Sequence, residues 1–119
     1  MPTTDHVLII EEEALLALDI EYVLSEHGAF EVTHFRSVAE AHVHLSDPSV
    51  FRLAFVEARL GAAEVVGLTE RLVRAGVATI VMSADSRSLD LFPHATPLEK
   101  PFDAARLLAA CDAARSSLN

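Results

Sequence analysis

The stretch Val7-Leu8-Ile9-Ile10-Glu11-Glu12-Glu13 decides how the rest of this 119-residue chain is read. Successive apolar, mostly β-branched residues with no polar alternation are what a strand covered on both faces requires, and the three glutamates end it abruptly. From Ala14 the period changes: Leu16, Ile20, Val23 and Leu24 fall on one helix face, and Gly28 stands where a left-handed C-terminal cap would sit. A doubly covered strand running directly into an amphipathic helix predicts a strand–helix unit of a parallel sheet.

The same unit recurs along the chain. Phe30 to Phe35 is aromatic and β-branched, and Ser37 with Glu40 has capping-box spacing for a second helix that Asp47 and Pro48 close. Val50 to Val56 reads as a third strand, and Val65, Leu68, Leu72 and Val73 mark a third helix ending at Gly76. Val77 to Met82 is a fourth strand. Ser86 to Phe92, bounded by Pro93, has room for only about two helical turns. Thr96 to Glu99 is a short fifth strand, and Asp103 caps a last helix whose Leu107, Leu108, Cys111 and Ala114 share an apolar side. The tail from Arg115 is expected to fray.

Five strands alternating with five helices predict one α/β domain over 1–119: a flavodoxin-like, doubly wound three-layer sandwich with sheet order 2-1-3-4-5 and a shortened fourth helix. In that order the chain reverses across the sheet between strands 1 and 3, and ligands bind at the carboxyl ends of the strands. Those ends carry Glu11, Glu12 and Glu13, then Glu57, Ser83 and Lys100. Glu11, Glu12 and Glu57 bring three negative charges and Lys100 returns one. At roughly 4 Å and an effective dielectric near 20, each like-charge contact costs about 4 kcal/mol, so a divalent ion or a shared proton is the expected relief. Oxygen-only ligands suit Mg2+.

Composition narrows the function classes. No apolar run approaches the length of about 18 residues needed to cross a membrane, and Met1 to His6 lacks the pattern of a signal peptide, so a soluble, cytoplasmic domain with no membrane contact is expected. The net charge of −9 opposes the counterion release that drives nucleic-acid binding. A single cysteine, Cys111, excludes an internal disulfide and a Cys-rich zinc site. His42 and His44 stand about 200° apart around a helix axis and cannot easily share a metal. Ser83 has no nearby histidine base in the sequence, and no glycine-rich phosphate loop follows the first strand.

Four motifs in order, VLIIEEE (7–13), LAFVEARLG (53–61), IVMSA (80–84) and LEKPF (98–102), resemble the receiver domain of bacterial two-component response regulators, over Val7 to Leu118. The resemblance implies that Lys100 contacts a phosphoryl group and is joined to Pro101 by a cis peptide. It also implies that the residue ending strand 3 accepts phosphate from a sensor histidine kinase, and that Mg2+ is held by Glu11, Glu12, Glu57 and the backbone carbonyl of Arg59. This sequence departs from the family where the chemistry is done. Glu57 replaces the phosphoacceptor aspartate, Glu12 replaces an aspartate of the strand 1 pair, and Pro97 occupies the place of the switching aromatic. In-line attack needs reacting atoms about 3 to 3.5 Å apart, so one extra methylene on each acid costs orders of magnitude in rate.

The expectation is therefore a stand-alone, atypical receiver that is not an enzyme and is not phosphorylated in the usual way. It would bind Mg2+ weakly or not at all and act as a protein-interaction module, with Glu57 as a partial mimic of phospho-aspartate. The alternative is a working Mg2+-dependent phosphoacceptor. Partners would be a sensor histidine kinase or a downstream regulator, with the chain a monomer or weak dimer because the shortened fourth helix removes area from a dimerising face.

Overall fold

The computed structural model describes residues 5–28, 30–59 and 62–118. Five parallel strands, β1 (Asp5–Ile10), β2 (Phe30–Phe35), β3 (Leu53–Glu57), β4 (Ala78–Ser83) and β5 (Thr96–Glu99), form one sheet of order β2-β1-β3-β4-β5. The flavodoxin-like α/β order expected from the sequence is the one found. The central strands are buried over Val7–Ile10 of β1 and along the whole of β3 and β4, as their largely apolar sequences require.

Helices cover both faces. On one side α1 (Ala14–Ser25) and α4 (Ala104–Ser116) pack Ala17, Ile20, Leu24 and Leu107 against Val7, Ile9, Leu53 and Phe55. On the other, α2 (Val38–His44) and α3 (Ala62–Arg74) pack Val38, Ala41, Leu68 and Leu72 against Leu8, Ile10, Ala54 and Val56. Alternate residues of each strand thus feed two separate cores, so both faces of these strands are largely apolar, and Thr79, buried within β4, donates its hydroxyl to the Val77 carbonyl at 2.9 Å.

Local chemistry explains most boundaries. The Ser37 hydroxyl accepts from the Glu40 N–H at 3.0 Å and Asp103 accepts from the Arg106 N–H at 2.9 Å, so both expected caps are present. Gly76 ends the α3 region with φ of +83°, a left-handed conformation that favours glycine.

Several boundaries differ from the sequence reading. Gly28 is not a left-handed cap: α1 stops at Ser25 with Glu26 in the right-handed region, and Gly28 instead gives space to the Phe30 ring, which a Cβ there would meet at 3.0 Å. The third strand begins at Leu53 rather than Val50, because Asp47 accepts from the Ser49 N–H at 3.0 Å and winds Pro48–Val50 into a 3-10 turn. The expected short fourth helix is a 3-10 segment, Ser86–Leu91, rather than an α-helix, so four α-helices rather than five stand among the described residues. The tail does not fray at Arg115; α4 continues to Ser116 and Ser117 caps it. Leu60 and Gly61, at the end of the second motif, lie outside the described residues. No described helix is long and apolar enough to cross a membrane.

Candidate functional site

Strand register gathers the acids. Val7 lies opposite Leu53 and Ile10 opposite Val56, so one step further Glu11 comes opposite Glu57. The step is structurally real, since the Glu11 N–H still donates to the Phe35 carbonyl at 3.1 Å, extending β1 toward β2. On the other side of β3, the Lys100 N–H donates to the Ser83 carbonyl at 2.8 Å, which extends β5 along β4 and brings the lysine stem to the same edge. The peptide from Lys100 to Pro101 is cis, as the resemblance implied.

The result is a triad of two buried acids and one partly buried lysine. Lys100 Nζ donates to Glu11 Oε1 at 2.7 Å and to Glu57 Oε2. The second oxygen of each carboxylate is used the same way: Glu11 Oε2 accepts from the Glu13 N–H at 3.2 Å, and Glu57 Oε1 accepts from the Arg59 N–H at 3.1 Å. Glu11 is completely buried and Glu57 is 2% exposed. Burial alone would lower the pKa of Lys100, but the hydrogen bonds to Glu11 and Glu57, and then their charge, outweigh it and hold the pKa above its ordinary value of 10.5. The lysine is therefore an ammonium at neutral pH.

Glu12 does not join them. It is exposed, so the cluster holds two acids and not the three expected, and the charge left over is one negative rather than two. The physical reason is alternation: Glu11 carries on the strand with its side chain inward, and the next residue falls on the opposite parity where the chain leaves the sheet.

Ser83 reaches the same crevice. It is buried and lines the same cavity of about 320 Å3 as Glu57 and Lys100, but its Oγ donates to the Asp85 carbonyl and accepts from the Asp85 N–H, both at 3.0 Å, and not to Glu57. Arg59 contributes its N–H to Glu57, while its guanidinium pairs with Glu13 at 3.8 Å across the mouth of that cavity, both side chains well exposed.

Two contacts had no sequence signal. The Glu13–Arg59 pair joins two exposed charges far apart in sequence. His34 at the end of β2 donates from Nε2 to the Glu11 carbonyl at 2.7 Å, and tethers the turn from which Glu11 points inward. A larger hollow, about 610 Å3 between the Ser86–Leu91 segment, β5 and α4, is lined by none of the buried polar side chains, so the chemistry lies in the smaller cavity.

The donor set does not fit a divalent cation. Mg2+ takes near-octahedral oxygen ligands at about 2.0 to 2.1 Å. Here both buried carboxylates already share an ammonium, the third acid faces solvent, and no cluster of three or more metal-ligating side chains is found among the described residues.

No protein-family model matches the chain, and no curated protein matches it. Solved structures do. A response regulator receiver protein from Sinorhizobium medicae is similar with a TM-score of 0.79 at 21% identity, covering 98% of each chain. A signal receiver domain of two-component signal transduction (histidine kinase) from Clostridium thermocellum has a TM-score of 0.82 at 10% identity, covering 95% of this chain and 98% of its own. A response regulator receiver domain protein from Bacillus halodurans has a TM-score of 0.73 at 23% identity, over 94% and 97% of the two chains. Likeness at these identities establishes the shared fold.

Proposed function

We propose that this chain is a receiver-type signalling module of the two-component class that has given up phosphotransfer and works by protein contact. The observation that carries the reading is the state of Glu57. It ends β3 at the position where the resemblance puts a phosphoacceptor, yet one of its oxygens binds the Lys100 ammonium and the other the Arg59 N–H. A nucleophilic carboxylate needs a lone pair free and aligned on the incoming phosphorus, at about 3 to 3.5 Å. Each oxygen of Glu57 already accepts from an ammonium or N–H donor, which fixes its orientation and reduces its nucleophilicity. The likeness to solved receivers supports the class, and a histidine kinase or a downstream regulator is the partner type that this class implies.

A second reading, Glu57 as a permanent imitation of phospho-aspartate, has the Lys100 contact in its favour. A phosphoryl group carries about −1.5 to −2 of charge and three acceptor oxygens, enough to engage lysine and serine together. Glu57 has one charge, and Ser83 is held by Asp85 instead, so the imitation is partial.

Intact mass after incubation with magnesium and acetyl phosphate separates these readings from a working phosphoacceptor. The native chain is expected to stay unmodified. Glu57→Asp, whose shorter side chain withdraws from Lys100, is expected to gain a phosphoryl mass. A gain by the native chain that Glu57→Gln abolishes would overturn the proposal.

A further inference from the structure

We propose that the Lys100 ammonium is the resident cation of this crevice and that the native protein takes up no divalent metal there. The inference rests on the receiver-type reading of the site and adds what neutralises it.

Charge arithmetic carries the first part. Two buried carboxylates against one ammonium leave a single negative charge, which the N–H groups of Glu13 and Arg59 partly offset. Adding a divalent ion would bring the crevice to one positive charge, and three acids would be needed to balance ion and ammonium together. The third acid, Glu12, is exposed.

Geometry carries the second part. The ammonium bonds one oxygen of each buried glutamate at once, with Glu11 Oε1 at 2.7 Å. Each of the four carboxylate oxygens thus already accepts one donor, two from the ammonium and two from backbone N–H groups. A metal taking the oxygens that the ammonium holds would displace it, leaving a charged, largely covered lysine without its partners, which is costly.

The test uses the full chain in thermal melts with and without MgCl2, at ionic strength matched with NaCl. A ligand at a hundredfold excess over its Kd raises Tm by roughly 10 °C in a domain of this size. The native chain is expected to shift by less than about 1 °C on the same scale. Lys100→Met removes the ammonium and leaves two carboxylates face to face, so its Tm is expected to fall well below the native value and to recover by several degrees in MgCl2 or CaCl2.

A native Tm that climbs with magnesium would overturn the inference, as would a folded Lys100→Met chain indifferent to both salts. Should that variant not fold, calorimetric titration of the native chain with MgCl2 decides alone: heat of binding at submillimolar affinity overturns it, and none upholds it. Magnesium uptake without phosphotransfer would sink this inference only, whereas phosphotransfer to native Glu57 would sink the function proposed above.

Discussion

Lys100 keeps its charge in a place where charge is expensive, and it does so because two acids meet it there. Removing it would leave two buried carboxylates without a counter-charge, a change that typically costs about 3 to 5 kcal/mol. Its raised pKa makes the pH dependence definite in sign. A group whose pKa is higher in the fold than in the open chain stabilises fully below the open-chain value, here 10.5, and loses that contribution as pH climbs through the folded value. Cys111 obeys the same rule in an earlier window. Burial pushes its thiol from 9.0 up to about 11, so its contribution drains away from pH 9 toward 11. Urea denaturation at stepped alkaline pH is expected to show stability falling first over this window by about 2 kcal/mol, and Cys111→Ala is expected to lose that first step while keeping the later one. Identical slopes for the two proteins would mean that the thiol is not held neutral. At this scale the sequence was only half readable. Glu57 and Lys100 could be placed from their strand ends alone, but three consecutive glutamates look alike until strand register shows which one faces Glu57.

Among the elements, α1 is apolar nearly all round. Ala17, Ile20 and Leu24 are buried against the sheet, yet Leu15, Leu18 and Tyr22 on the outer side are each more than half exposed. The two faces differ in what a substitution costs. Ile20→Ala is expected to lose about 2 to 5 kcal/mol by opening a cavity under the helix, while Leu18→Ser is expected to stay within about 0.5 kcal/mol of native. Equal losses in urea melts would show that something within the chain covers the outer face. Helix existence was legible here because the 3.6-residue period survives the extra apolar residues. Helix ends were less so: Gly28 looks like a cap in sequence, but the turn at Glu26 closes α1 first. The start of β3 was hidden for a similar reason, since Val50 and Phe51 have strand chemistry and only the Asp47 cap on Ser49 reveals the 3-10 turn.

For the whole molecule, the sheet order followed from the alternation of doubly buried strands with helices, and it alone predicts which strand ends converge. What could not be seen was how little covers β5. Lys100 directs its N–H to β4, so by alternation Leu98 and Thr96 do too, and Pro97 and Glu99 turn their backbone to the open edge. Pro97 has no N–H to offer there, which blunts an edge that the short Ser86–Leu91 segment leaves uncovered. Pro97→Val is expected to restore the donor and to shift the chain toward larger species in light scattering after size exclusion, with little change in folding. A variant as monodisperse as the native chain would mean that the edge is guarded by something else. The triad has one more consequence at this scale. Lys100 is the chain's only lysine, so an amine-selective acylating reagent or a lysine-tagging enzyme finds a single side-chain amine in the molecule, and that amine is engaged while Glu11 and Glu57 hold it. The rate at which this one amine is acylated is then a direct clock for the opening of the crevice, free of background from any other lysine.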